Sequence, residues 1–195
     1  DFLTATRKHR KDRRVQSVAY EIEGEVNLMS LQVWLQNLVD VPRPATQHDH
    51  SHDHSHDHDS KVRTNLYRYK GIIAVKGMDQ KFVFQGVGMV MGSYFTAETW
   101  SENETRTSRF VLIGMDLDRA TIESDFQHTL VTKNLRFNIG TTVEVNTGKF
   151  QRGQIIAQWE QGQPYMIRLE DTGDDILAPM DYDSCVRLPA ASLTS

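Results

Sequence analysis

Two β-rich runs joined by a short turn constrain this chain more than any other feature. The first reads Gly-Ile-Ile-Ala-Val over Gly71–Val75, and the second reads Lys-Phe-Val-Phe-Gln-Gly-Val over Lys81–Val87. Between them, Lys76-Gly77-Met78-Asp79-Gln80 has the chemistry of a hairpin loop. Ile72, Ile73, Ala74 and Val75 are apolar on both sides, as in a central strand covered on both faces. In the second run Phe82, Phe84 and Gly86 alternate with Val83, Gln85 and Val87, the period of a strand with two unlike faces. A hairpin at the middle of a sheet is predicted.

The rest of the chain supplies partners for that hairpin. Val15–Val26 alternates, with Val18, Tyr20 and Ile22 on one side, and bends at Gly24. Asn27 then suits a helix N-cap, and Leu28, Leu31, Leu35 and Leu38 recur at helical spacing with Trp34 beside them. The helix is predicted to run to about Val39, ahead of Pro42 and Pro44. Arg109–Gly114 reads as another buried strand. Asp118 reads as the cap of a second helix carrying Ile122, Phe126 and Leu130. Met91–Thr107 shows no clear period and reads as an irregular crossing. The fold class expected for residues 15–133 is α+β: a mixed sheet, made of a parallel crossover and an antiparallel meander, covered by helices.

After Lys133 the pattern changes. Thr142–Val145, Gln154–Trp159, Tyr165–Leu169 and Asp175–Ala178 are short β-rich runs punctuated by Gly148, Gly162 and Gly173. Even spacing with glycine turns predicts a small all-β barrel over residues 138–189, followed by a tail at 190–195. Gly153-Gln154-Ile155-Ile156, Pro164-Tyr165, Arg168-Leu169 and Pro179 with Asp181 give it a resemblance to barrels of the SH3-like kind. At the other end, residues 1–14 hold Arg7, Lys8, Arg10, Lys11, Arg13 and Arg14 with no apolar stripe, and read as a basic connector.

Inside the first domain lies a tract of another character. His48, His50, His52, His54, His56 and His58 alternate with Asp49, Ser51, Asp53, Ser55 and Asp57. Gln47–Asp59 has no apolar residue to bury, and residues 45–62 are predicted to form a disordered loop. Imidazole is mostly neutral near pH 7 and ligates without first losing a proton. Several imidazoles with carboxylates at Asp49, Asp53 and Asp57 can surround one dication, and the donor set suits zinc, cobalt, nickel or iron. Such a tract exchanges metal readily, which fits loading or buffering better than a structural site. The competing reading is a hydrophilic spacer.

Arg68-Tyr69-Lys70-Gly71, then Phe84-Gln85-Gly86-Val87, then Trp100, then Ser108-Arg109-Phe110-Val111-Leu112-Ile113-Gly114 follow in order. In that order and spacing the chain resembles the C-terminal domain of CobW-type proteins, P-loop GTPases that act as metal chaperones or insertion factors. The likeness covers roughly Val15 to Leu130. It implies zinc as the metal, a client metalloprotein and an upstream GTPase domain as partners, and Arg68, Lys70, Gln85, Trp100 and Arg109 as candidates for partner contact. The family usually has a His after Gln-Gly-Val, and Gly88 stands there instead. No Gly-x-x-x-x-Gly-Lys-Ser/Thr phosphate loop occurs in the sequence. The resemblance therefore places GTP, magnesium and the catalytic site before Asp1, and this chain alone is expected to catalyse nothing.

A net charge of −4 implies no general attraction to nucleic acid or anionic membrane. No apolar stretch approaches the ~20 residues of a membrane span. The lone Cys185 excludes an internal disulfide and fits an intracellular, cytoplasmic setting. The alternative function is a non-catalytic protein-interaction module in which the His run only spaces two elements.

Overall fold

The computed structural model describes residues 14–39 and 65–189. In order these form β1 (Val15–Glu23), α1 (Leu28–Val39), β2 (Asn65–Ile73), β3 (Gln80–Val87), β4 (Val90–Thr99), β5 (Thr107–Met115) and α2 (Arg119–Gln127). There follow β6 (Thr142–Asn146), β7 (Phe150–Glu160), β8 (Gln163–Leu169), β9 (Asp175–Ala178) and β10 (Val186–Arg187). Both helices begin where side chains supply acceptors for orphan backbone donors. Asn27 Oδ1 accepts the Ser30 N–H at 2.9 Å, and Asp118 Oδ1 accepts the Ala120 and Thr121 N–H groups at 3.1 Å.

The first sheet has the order β1-β5-β2-β3-β4, and every neighbouring pair is antiparallel. This corrects the mixed sheet expected from the sequence. β1 and β2 do point the same way with β5 between them, so the parallel pairing expected of the crossover through α1 is confined to one bridge beyond the strand ends, Val26 with Val75. The hairpin β2–β3 is central, as predicted, yet among the described residues only one face is covered: Ile73 is fully buried while Ile72 is 43% exposed. Much of the stretch Met91–Thr107, expected to be irregular, is regular: β4 runs along the edge to Thr99. The β3–β4 turn consists of Gly88 and Met89, with Gly88 at φ +57. A Cβ there would meet nothing within 4 Å, so glycine serves the backbone geometry of a tight two-residue turn rather than a need for space.

The covered face packs beneath α1 and α2 in a mainly aromatic core. Phe110 is its hub, with ring centroids 4.8 Å from Tyr20, 4.8 Å from Phe126, 5.3 Å from Trp34 and 6.4 Å from Phe84. Gly71 allows this closeness, since a Cβ there would sit 2.5 Å from the Phe84 ring and 2.6 Å from Phe110 Cβ.

The second sheet has the order β10-β6-β7-β8-β9, again antiparallel throughout. The all-β character expected for this part stands, but the sheet is open: β9 and β10 lie at opposite edges and do not pair. β10 has two residues and β9 four, too little ladder to close a barrel. Val143, Val145, Ile155, Tyr165, Ile167 and Leu169 form a separate buried cluster, and Cys185 packs at its margin. Among the described residues no helix covers this cluster, and it is closed by irregular chain. Arg136 pins that chain: its Nε donates to Asp181 Oδ1 at 2.8 Å, its Nη1 to Asp183 Oδ1 at 2.6 Å and its Nη2 to the Val186 carbonyl at 2.9 Å. The Arg136 backbone N–H also donates to Asp181 Oδ2 at 2.9 Å.

The two sheets touch at Gly77 and Gly162. Gly77 has φ +78, and a Cβ on it would strike the Trp159 carbonyl oxygen. At Gly162 a Cβ would lie 3.2 Å from Leu28 and 3.3 Å from Val75.

Candidate functional site

Strand register assembles a site on the uncovered face of the first sheet. Three rows of residues cross it. One row runs Glu21, Arg109, Ile72, Val83, Tyr94. The next runs Ala19, Val111, Lys70, Gln85, Gly92, and the last runs Ser17, Ile113, Arg68, Val87, Val90. Side chains alternate between faces along each strand, so these residues share the face opposite the helices. A shallow trough of about 550 Å³ lies on this face, starting at Ala19 and bordered by Lys70, Ile72, Val83, Gln85, Arg109 and Val111.

This places most of the partner candidates named by the sequence together. Arg68, Lys70, Gln85 and Arg109 lie on adjacent strands of one open face. Trp100 does not join them. It follows β4, is 7% exposed, and has Lys81 Nζ 4.9 Å and the Arg106 guanidinium 5.6 Å from its ring. Its indole N–H finds no acceptor among the described residues. Sequence reasoning missed the apolar part of the face. Val87, Val90 and Tyr94 are 67, 78 and 53% exposed. The signal was present in Ile72-Ile73, where adjacent apolar residues on a strand must point to opposite faces.

The electrostatics of the face are lopsided. Arg109 Nη2 donates to Glu21 Oε1 at 2.9 Å. That hydrogen bond, with the charge behind it, holds the Glu21 carboxyl below its ordinary range and raises Arg109. Arg68 and Lys70 make no ion pair among the described residues. A positive strip therefore runs along β2 in a chain whose net charge is −4.

Polar clefts between the two sheets hold charges that are partly engaged. Bordering one of about 610 Å³, Lys76 Nζ lies 2.7 Å from Glu25 and Arg106 donates to the Met78 carbonyl at 2.9 Å, while Glu23 and Lys133 make no ion pair among the described residues. His128 is exposed at the C-cap of α2, apart from other metal-ligating groups. Among the described residues no three His, Cys, Asp or Glu side chains gather as a metal site. The tract His48–His58, with Asp49, Asp53 and Asp57, lies outside the described residues, as do the connector residues before Arg14. No helix among the described residues is long and apolar enough to cross a membrane.

Comparison with known proteins adds what the geometry lacks. Residues 15–130 match the family described as the cobalamin synthesis protein cobW C-terminal domain. The zinc chaperone CobW of Pseudomonas aeruginosa is 34% identical over 68 residues, covering 35% of this chain and 18% of that protein. Among solved structures, a Zn(II)-bound triple mutant of the YjiA GTPase aligns with TM-score 0.46 and 21% identity over 62% of this chain and 31% of that one. The Zn(II)-bound YjiA GTPase from E. coli gives TM-score 0.45 and 20% identity, over 60% of this chain and 30% of that one. The chain thus spans less than a third of each of these relatives. The family match covers β1 through α2 and ends before β6, and over those residues the chain belongs to the cobW C-terminal domain family.

Proposed function

We propose that this chain is the C-terminal part of a CobW-type, GTP-dependent metal chaperone that handles zinc. Its His/Asp tract holds the metal in transit, and the open sheet face meets a client metalloprotein. Nucleotide chemistry belongs to a GTPase domain that precedes the chain in the parent protein, in an intracellular, cytoplasmic setting. The observation that carries this reading is the position of the tract. His48–His58 interrupts the family domain itself, within the matched residues 15–130.

In this role zinc is cargo. His48, His50, His52, His54, His56 and His58 supply neutral nitrogen donors, and Asp49, Asp53 and Asp57 supply negative charge that draws in a dication. Cobalt, nickel and iron are the other ions that the donors admit. Arg68, Lys70, Gln85 and Arg109 form the client-facing set, while Trp100 supports the sheet from its buried position.

The test is zinc titration with thermal melts, on the chain and on a variant lacking residues 48–58, at two pH values. Deletion abolishes most zinc binding. Binding in the intact chain weakens as pH falls through roughly 6.5, because protonated imidazole cannot ligate. A tract that offers the same imidazoles folded and unfolded gives almost no stabilisation, against ~2.7 kcal/mol for a native-only site at a hundred times its dissociation constant. Unchanged zinc affinity after deletion would favour the interaction module with a spacer instead.

A further inference from the structure

We propose that the open face of the first sheet docks a helix of another protein, one whose contacting stripe sets carboxylates between large apolar side chains. This gives the client-recognition half of the reading above a stated chemistry. Three features of the face lead there.

The first is backbone accounting. Strands β5, β2 and β3 are paired on both sides, so the interior of the face offers no free N–H or C=O. An extended segment laid across it would leave its own backbone groups unpaired. A helix satisfies its own and brings only side chains. The sheet buries its opposite face in this way, beneath α1 and α2. Five strands span roughly 20 Å between the outer axes at the usual strand spacing, a width that roughly 13 helical residues cross.

The second feature is the placement of charge. Arg109, Lys70 and Arg68 run diagonally over β5 and β2. Val111 and Ile113 lie on one side of that diagonal; Val83, Val87, Val90 and Tyr94 lie on the other, with Ile72 beside it. The complementary stripe is apolar, acidic, apolar. Arg68 and Lys70, unpaired among the described residues, are the cations with capacity to spare.

The third concerns other occupants. A second copy would set Arg68 and Lys70 against the same cations, a like-charge contact that disfavours self-association. The basic residues 7–14 carry the same sign and are disfavoured likewise. Phosphate polymers match the charge but leave Ile72, Val87, Val90 and Tyr94 without apolar partners.

The probe is a fluorescein-labelled, alanine-based helical peptide of 18 residues. Its single stripe reads Leu, Leu, Glu, Glu, Leu, Leu at three- and four-residue spacing, and a control peptide has Lys in place of both Glu. Anisotropy titration of the whole chain should show binding of the Glu peptide and none of the Lys peptide. The double variant Arg68→Glu/Lys70→Glu should lose at least about tenfold in affinity for the Glu peptide and gain binding of the Lys peptide. Both positions are exposed, so circular dichroism of the variant should match the parent. Ile72→Ala should weaken binding without reversing the preference.

Any of these results would overturn the proposal: no binding of the Glu peptide, binding indifferent to the charge reversal, equal competition by an 18-nucleotide single strand, or peptide binding that appears only after deletion of residues 48–58. The last would mean that the chain's own acidic tract occupies the face. Sedimentation as a dimer that dissociates on Ile72→Asp would assign the face to a second copy, against the proposal. Zinc titration of the same samples separates failure of this docking surface from failure of the metal reading.

Discussion

The two five-stranded sheets each close one apolar face, and they do so with different materials. The first lies beneath two helices, whose Leu31, Trp34, Leu35, Ile122 and Phe126 meet Phe84 and Phe110 in a core of large rings. The second is covered by no helix among the described residues. Its smaller, mostly aliphatic face is closed by the chain around residues 135–137 and 179–185, where Leu135, Phe137 and Cys185 pack against it. A helix holds its own shape and needs only an apolar stripe to stay in place. Irregular chain has no such order, and here Arg136 imposes it through charge-assisted bonds to Asp181 and Asp183. Apolar area stabilises the first unit, while specific polar bonds set the shape of the second.

The sharpest way to break that comparison is Phe110→Ala. It removes the ring shared by Tyr20, Trp34, Phe84 and Phe126, and large-to-small changes at such sites cost about 3–5 kcal/mol. If residues 15–133 and 138–189 are separate folding units, urea unfolding followed by circular dichroism should split into two transitions, with the second unmoved. A single transition shifted as a whole would show that contacts such as Gly77 against Trp159 bind the two sheets into one cooperative body.

Arg136→Ala has a smaller expected effect, and it falls on the other sheet. Charge-assisted bonds are individually strong, but this side chain is 39% exposed, so solvent screening reduces their worth to about 1–2 kcal/mol in total. The loss should fall on the second transition alone. Limited proteolysis should then open residues 179–187 before any site in the first sheet. Arg136→Lys should rescue little, since one ammonium cannot reproduce a fork that reaches two carboxylates and a carbonyl.

These two residues also show how far the sequence could be read. The helix caps at Asn27 and Asp118 were legible because their partners lie two or three residues away. The central hairpin was legible from composition. β4 was not: Gly92 and Ser93 dilute the alternation that Met91, Tyr94 and Phe95 carry. The open face was hidden because Ile72 beside Ile73 reads as burial on both sides until register shows that no element among the described residues covers one of them. Arg68, Lys70, Gln85 and Arg109 were found through motif resemblance, but their shared face follows only from strand order. Arg136 gave no signal, for its partners Asp181 and Asp183 lie 45 and 47 residues away.

The smallest effect tests whether a buried hydroxyl belongs to the polar scaffold of the second sheet. Tyr165 is fully buried, and its hydroxyl oxygen accepts the Phe137 N–H at 3.1 Å. Burial is the main cause that pushes its pKa up to about 12; the nearby Asp181 carboxylate adds to this, while the Phe137 N–H and Arg136 work against it. Its folded value thus exceeds the ~10 of an unfolded tyrosine. The folded state holds that proton more tightly, so the contribution is fully present below about pH 10 and is lost as pH rises from about 10 to about 12. Tyr165→Phe should cost about 1 kcal/mol near neutral pH, where the Phe137 N–H loses its acceptor. In alkali the parent should lose ground that the phenylalanine variant keeps, and the gap between them should narrow. Tyr20 and Tyr69 in the first sheet are also raised by burial, so the quantity to follow is the difference between variant and parent. Urea unfolding of both proteins near pH 7, 9 and 11 measures it. A gap that stays constant through about pH 11 would mean that the hydroxyl ionises as if it were in water.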